Sequence, residues 1–148
     1  MPTSPERSPR LPLLFTDDPF KGAFALPGGF VDKDEDLDVA AARELLEETH
    51  VSGVPLTQFG AFGKPGRDPR GHTVTVAYYG VLPEASLDSV QADDDAASAK
   101  WLPLADVPAS AFAFDHAHVV TQGMQRMTEV SNAETPPPMQ YILCLHAL

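Results

Sequence analysis

Residues Gly29–Val51, GFVDKDEDLDVAAARELLEETHV, carry the strongest pattern in the chain. Three carboxylates, Glu44, Glu47 and Glu48, stand at i, i+3 and i+4, which places them on one face of a predicted helix. Because like charges at these spacings destabilise an isolated helix by roughly a few tenths of a kcal/mol per pair, something must offset their repulsion. A hard divalent cation such as Mg²⁺ takes oxygen ligands, so the pattern indicates a cation site.

The helix is predicted from its composition. Ala40, Ala41, Ala42, Leu45 and Leu46 are strong helix formers. Val39, Ala42 and Leu46 lie off the acidic face formed by Glu44, Glu47 and Glu48. We therefore expect the helix to bury one side and to leave the acidic side in water.

The same stretch resembles the Nudix box: a Gly, five residues, a Glu, seven residues, then Arg-Glu-aliphatic-any-Glu-Glu-any-Gly-aliphatic. The matching residues are Gly29, Glu35, Arg43, Glu44, Leu45, Glu47, Glu48 and Val51. His50 departs from the pattern, since the family has Gly there. A Gly after a helix usually adopts the left-handed conformation, so His50 is expected to cost stability but not activity.

The resemblance implies a hydrolase of nucleoside diphosphates linked to another moiety. It implies Mg²⁺ as the cofactor, with Mn²⁺ as the second candidate, held by Glu44, Glu47, Glu48 and the carbonyl of Gly29. It also assigns catalytic roles to Glu47 and Glu48, and to Arg43 and Glu35 as the ion pair that orients the acidic face. The metal shields the phosphoryl charge and lowers the pKa of bound water.

Bulk properties limit the classes of partner. The chain has 148 residues, enough for one domain with a core, and a net charge of −11. Such a charge repels nucleic acid and anionic membranes, so neither is expected as a partner. The single cysteine, Cys144, excludes an internal disulfide and favours a cytoplasmic location. No signal peptide or membrane span is evident.

The expected fold is α/β: a mixed sheet sandwiched between helices in one Nudix domain over 11–130. Residues 1–10 read as a disordered leader, and residues 131–148 as a linker and an apolar tail. The run Leu11–Phe15 is a weak first strand, which Pro12 limits to an edge or a strand start. Nudix domains usually carry two strands before the Gly-Gly turn, and here there is room for one. We expect the tail, MQYILCLHAL, to fill the sheet position of the missing strand, in its own chain or a partner's.

A basic loop follows the helix: Gly63-Lys64-Pro65-Gly66-Arg67-Asp68-Pro69-Arg70-Gly71. In a chain this acidic, a local basic loop is where an anionic substrate would be held. The alternative is a solvated hairpin with incidental charges. Proteins of the ADP-ribose-like Nudix branch have a similar loop, so the resemblance favours substrate binding by Lys64, Arg67, Asp68 and Arg70.

Later segments carry weaker expectations. Strands are predicted over 56–63 and 72–82, and again at Lys100–Leu104, with Trp101 in the core. Asp93, Asp94 and Asp95 are either a solvated loop or the source of a general base. Asp115 is expected to cap a helix that runs to about Val130, and His116 is either structural or a substrate contact.

Several functions remain open at this point. The first is hydrolysis of ADP-ribose or a related nucleoside diphosphate derivative. The alternatives are a metabolite-binding Nudix sensor domain without catalysis, a Nudix hydrolase that removes (d)NTPs, and a truncated copy without function. The sensors usually have an eroded box and a C-terminal winged helix, for which the 18 residues after Val130 leave no room. Family enzymes often form homodimers, so a homodimer is compatible with the resemblance.

Overall fold

The structure is a computed structural model that describes residues 9–17, 19–82, 99–131 and 140–147, the last eight and Ser131 by their backbone. The elements in chain order are β1 (Arg10–Phe15), β2 (Phe24–Ala25), β3 (Gly28–Phe30), α1 (Leu37–Thr49), β4 (Thr57–Phe62), β5 (Thr75–Leu82), β6 (Lys100–Pro103), α2 (His116–Ser131) and β7 (Gln140–Ala147). The strands predicted over 56–63, 72–82 and 100–104 are therefore confirmed in place, with β5 starting three residues late.

The strands form one mixed sheet in the order β2-β1-β7-β5-β4, with β3 paired to β7 and β6 paired to β1. β1 pairs with β2, β6 and β7, so as a whole it is not an edge strand, but Pro12 itself pairs only with Trp101 of β6. The pairing of β1 with β7 is confined to Arg10. One side of β1 therefore needs no ladder hydrogen bond at Pro12, which lacks the N–H to make one.

The C-terminal strand β7 lies inside the sheet of its own chain. It runs antiparallel to β5 over eight residue pairs, from Thr75↔Ala147 to Leu82↔Gln140. It also runs parallel to β3, pairing Gly28 with Leu145 and Phe30 with Ala147. The tail thus adds a strand to the sheet of its own chain, beyond the boundary expected at residue 130. The expectation that there is room for only one strand before Gly28 is wrong, because both β1 and β2 precede it.

The two helices cover opposite faces of the sheet. Neighbouring residues of a strand point to opposite faces. Ala77 of β5 packs in a cluster with Val119 and Met124 of α2, whereas the next residue, Tyr78, packs against Ala41 of α1. The predicted sandwich of a sheet between helices is confirmed.

Helix α1 starts at a side-chain cap and is anchored to the sheet. Asp36 accepts a hydrogen bond from the backbone N–H of Asp38, at 2.9 Å. The buried hydroxyl of Tyr78 donates to the carboxylate of Asp38 at 2.8 Å. This contact joins the first turn of α1 to the middle of the sheet.

The buried side of α1 differs from the expected one. Ala41, Leu45 and Thr49 are buried, whereas Val39 is 58% exposed and Leu46 is 47% exposed. The small Ala41 lets the helix approach Tyr78 closely, and Leu45 packs with Val51 and Leu82. Contact with the sheet, rather than the hydrophobicity of single residues, decides which side is buried.

Three other expectations have different outcomes. Trp101 packs against the cluster of Leu45, Val51 and Leu82, so its place in the core is confirmed. Asp115 stands where predicted, and its carbonyl accepts from the N–H of Val119 at 3.2 Å, but its carboxylate binds Arg67 instead of capping α2. Residues 1–8 of the expected leader and the Asp93–Asp95 segment lie outside the described residues. Arg10, which was assigned to the leader, is instead the first residue of β1 and pairs with Pro103.

Neither α1 nor α2 combines the length and the apolar character that a membrane-crossing helix needs.

Candidate active site

The acidic face of α1 lies against strand β3. The carboxylate of Glu48 accepts a hydrogen bond from the N–H of Gly28 at 2.8 Å. The carboxylate of Glu44 lies beside Gly29 so closely that a Cβ on Gly29 would stand 2.5 Å from Glu44 Oε1. A side chain at position 29 would fit only if the carboxylate of Glu44 moved aside.

Arg43 holds the acidic face from the side. Its guanidinium makes two hydrogen bonds to Glu35, at 2.7 and 2.8 Å, and a third to Glu44 Oε1 at 2.8 Å. Its contact with Glu47 is longer, 3.4 Å. The predicted Arg43–Glu35 ion pair forms in bidentate geometry, and these partners raise the pKa of Arg43, so the guanidinium stays charged.

Glu48 has the most perturbed carboxyl group of the described residues. Burial raises the pKa of Glu48 to about 7, and repulsion from Glu44 and Glu47 adds to the effect, although the hydrogen bond from Gly28 opposes it. At neutral pH a cation beside Glu48 would relieve both the burial cost and the repulsion.

The donors at this face suit a hard cation, because they are carboxylate oxygens and backbone carbonyls. In the arrangement described, no three acidic, histidine or cysteine side chains of residues 9–17, 19–82 and 99–131 are grouped closely enough to bind one metal ion. One nitrogen of Arg43, Nη1, donates to an oxygen of Glu44 and an oxygen of Glu47, so the guanidinium occupies carboxylate oxygens that a cation would use. Glu48 and Glu44 nevertheless contact two adjacent backbone residues, Gly28 and Gly29 respectively.

A cavity of about 290 Å³ adjoins that backbone. Gly28 and Gly29 line it, together with Arg67, Asp68 and Arg70 of the basic loop. The cavity and the acidic face thus share one wall, although the residues that form them are far apart in the sequence.

The two arginines of the basic loop, Arg67 and Arg70, both form ion pairs. Arg67 has a side chain that is only 5% exposed, and it bonds twice to Asp115, at 3.0 and 2.8 Å, and once to Thr75 Oγ1 at 2.7 Å. Asp68 is buried and bonds to Arg70 at 3.0 and 2.9 Å, which lowers the pKa of Asp68. Lys64 is exposed and does not line the cavity.

Sequence reasoning missed the aromatic side chains of the cavity. Phe15 and Phe30 line it while remaining 63% and 59% exposed. Phe114 also lines it, and the guanidinium of Arg70 lies 5.1 Å from the centre of the Phe114 ring. No local pattern identifies these residues. Phe15 ends a strand and Phe114 precedes a helix, so only the fold brings them to one cavity.

His116, which the sequence left undecided, also lines the cavity. The N–H of Leu26 donates to its Nδ1 at 3.1 Å, across 90 positions of sequence. Burial lowers the pKa of His116 to about 4, so the imidazole is neutral near pH 7.

Comparison with known families agrees with this geometry. The family model described as NUDIX domain matches residues 6–122. The chain belongs to the Nudix family. The match includes the acidic face, the basic loop and His116, which are the residues that surround the shared Gly28–Gly29 wall.

Two curated relatives of this Nudix domain are similar over most of the chain. An ADP-ribose pyrophosphatase from Methanocaldococcus jannaschii is 36% identical over 109 residues, which cover 74% of this chain and 62% of the relative. The ADPR responsive transcriptional repressor NtrR from Acinetobacter baylyi is 36% identical over 112 residues, which cover 74% of this chain and 44% of the relative. The chain thus spans less than two thirds of the length of either.

Solved Nudix structures share the fold. A mutT/nudix family protein from Listeria innocua has a TM-score of 0.69 and 33% identity, over 85% of this chain and 94% of that one. The NUDIX domain of Shewanella oneidensis NrtR, solved in complex with ADP ribose, has a TM-score of 0.63 and 32% identity, over 82% of this chain and 86% of that one. The Nudix fold predicted from the sequence is confirmed.

Proposed function

We propose that the chain is a Mg²⁺-dependent pyrophosphohydrolase that cleaves the diphosphate of ADP-ribose or of a related nucleoside diphosphate derivative. One observation carries the proposal: the cavity and the acidic face share the Gly28–Gly29 wall. A ligand in the cavity could place its diphosphate beside Gly28 and Gly29, the residues that Glu48 and Glu44 contact. The named relatives, a pyrophosphatase and a repressor that responds to ADPR, support the same ligand.

The residues are proposed to divide the work. Glu44, Glu47, Glu48 and the Gly29 carbonyl would hold Mg²⁺, or Mn²⁺ in its place. The bound metal shields phosphoryl charge and lowers the pKa of water. Arg43, fixed by Glu35, keeps Glu44 in position.

The basic loop is proposed to bind substrate through some of its residues. Arg70 is half exposed and lies over Phe114 at the cavity, so it can reach a bound ligand. Asp68 holds Arg70 in place, and Arg67 forms part of the wall through Asp115. Lys64 would act only by long-range attraction, because it stands outside the cavity. A homodimer and a cytoplasmic location belong to the proposal as well.

Hydrolysis of ADP-ribose with Mg²⁺ tests the proposal, with release of AMP followed by chromatography. We expect turnover by the wild type, and a loss of about 10²–10³-fold in kcat for Glu48→Gln, the range seen when one electrostatic group of a site is removed. Glu129→Gln is the matched control, since Glu129 is an exposed residue of α2 away from the cavity. Equal activity in Glu48→Gln and wild type would exclude the assigned metal site.

A sensor without catalysis is the second candidate, favoured by the similarity to the repressor. It predicts a folded protein that binds ADP-ribose in a calorimeter and releases no AMP. If the protein cleaves a dNTP faster than ADP-ribose in the same assay, the result supports the other alternative, a Nudix hydrolase that removes (d)NTPs.

A further inference from the structure

His116 is a buried hydrogen-bonding residue whose second ring nitrogen has no assigned task. It is 8% exposed, and it is the first residue of α2. The Leu26 N–H donates to Nδ1, so Nδ1 must be the unprotonated nitrogen of a neutral ring. The proton of the neutral ring is therefore on Nε2, which makes Nε2 a hydrogen-bond donor.

The surroundings keep the ring in this state. Burial lowers the pKa of His116 to about 4, and Arg67 lowers it further, while Asp115 and Asp68 act in the opposite direction. Near neutral pH, Nε2–H is accordingly an uncharged donor in a fixed tautomer.

Nε2–H has no hydrogen-bond acceptor among the residues that the structure describes with side chains. A buried donor that stays unpaired costs free energy comparable to a lost hydrogen bond. His116 lines the cavity that adjoins Gly28 and Gly29, so a molecule in that cavity can supply the acceptor.

The charge around His116 indicates the kind of acceptor. Arg67 is matched by Asp115, and Arg70 is matched by Asp68, so this wall presents two neutralised ion pairs and a neutral imidazole. Such a wall has no net positive charge to attract a phosphate. It suits an uncharged oxygen, while the phosphates of the same ligand would lie toward the acidic face and its cation.

We propose that His116 Nε2–H donates a hydrogen bond to a sugar hydroxyl of the nucleoside diphosphate derivative bound in the cavity. This inference rests on the proposed function and deepens it, because it assigns the sugar to the wall formed by His116. It makes His116 a binding residue and leaves the acidic face unchanged.

Two substitutions separate binding from structure. Asn is short and places its amide oxygen near the position of Nδ1, so His116→Asn can still accept from the Leu26 N–H but loses the donor at Nε2. Gln reaches farther and places its amide nitrogen near the position of Nε2, so His116→Gln can keep the donor but loses the acceptor for Leu26. The two variants therefore remove one hydrogen bond each.

Calorimetric binding of ADP-ribose, together with Tm, distinguishes the two roles. We expect His116→Asn to weaken binding about tenfold, the effect of one neutral hydrogen bond, with a small change in Tm. Compared with His116→Asn, we expect His116→Gln to lower Tm more and to lower the affinity for ADP-ribose less. If the loss of affinity follows the loss of Tm in both variants, His116 is only structural and the proposal is overturned.

ADP-ribose analogues that each lack one sugar hydroxyl identify the acceptor. The wild type and His116→Asn should bind one of these analogues with equal affinity, because that analogue lacks the hydroxyl that His116 contacts. A tenfold difference that persists for every analogue would overturn the assignment to a sugar hydroxyl.

The design also separates this inference from the proposed function. A wild type that neither binds nor cleaves ADP-ribose would overturn both. If His116→Asn binds ADP-ribose as tightly as the wild type does, only the role of His116 is overturned.

Discussion

At the scale of single residues, the contact between Gly29 and Glu44 sets how closely β3 and α1 approach. An added Cβ would lie 2.5 Å from Oε1 and 2.7 Å from the carboxyl carbon of Glu44, closer than atoms pack. Arg43 holds the same Oε1, so the carboxylate cannot move aside without losing that bond. The space for the side chain of Glu44 therefore depends on the absence of one at position 29.

Gly29→Ala should consequently displace Glu44. We expect the Mg²⁺ concentration that gives half-maximal hydrolysis to rise about tenfold, in the range found when groups that orient metal ligands are altered. Titration of activity with Mg²⁺ measures this. Gly71→Ala is the control, because a Cβ there meets nothing within 4 Å. An unchanged Mg²⁺ requirement in Gly29→Ala would show that Glu44 does not hold the metal.

At the scale of an element, the end of α1 carries a local conflict. His50 adopts the left-handed conformation, with φ of 62°, and its N–H bonds to the Leu46 carbonyl at 3.0 Å. The family has Gly at this position, and the left-handed conformation of residue 50 is the one predicted from that Gly. The helix ends in the usual geometry in spite of the residue, at a cost in conformational energy.

His50→Gly should stabilise the protein. Removing the steric cost of a left-handed residue is worth roughly 1 kcal/mol, which for a chain of this size raises Tm by about 2–4 °C. Thermal unfolding followed by circular dichroism measures the change, and kcat should stay as it is. Ser52→Gly serves as the control, since Ser52 is exposed and does not have a positive φ. A lower Tm for His50→Gly would mean that the imidazole stabilises the fold more than its backbone conformation costs.

At the scale of the whole molecule, the last strand holds the sheet and the site together. β7 lies between β1 and β5, and it pairs along β3, which carries Gly28 and Gly29. Residues 28 and 29 contact the carboxylates of α1. The placement of the acidic face therefore depends on a strand that begins 92 positions after Glu48 in the sequence.

Deletion of residues 139–148 should accordingly abolish cooperative unfolding and activity together, because it exposes unpaired edges of β1, β3 and β5. Chemical unfolding and light scattering measure this. A synthetic peptide with the sequence of residues 139–148 should restore activity in part. Removal of residues 1–8, which precede the described strands, is the matched truncation. Unchanged folding and oligomeric state after the C-terminal deletion would contradict the central place of β7.

The sequence by itself determined the local features. The spacing of Glu44, Glu47 and Glu48 and the helix formers of α1 depend on neighbours within a few residues, so α1 and its acidic face could be predicted. The turn expected at Gly28 and Gly29 is instead strand β3, which pairs with the distant β7. The ion pair of Arg43 with Glu35 also follows from the box. The helix and its acidic face arise from helix periodicity and backbone propensity, which a short stretch expresses without the rest of the chain, whereas the ion pair was expected only from the resemblance.

Only the tertiary structure decided the partners across the fold. Arg67 bonds Asp115 across 48 positions, and Leu26 bonds His116 across 90. No spacing rule predicts such pairs, because they depend on which strands become neighbours in the sheet. The side of α1 that is buried and the interior position of β1 were decided in the same way. The physical reason is that burial and long-range hydrogen bonding belong to the packed sheet, whereas propensity belongs to the local chain.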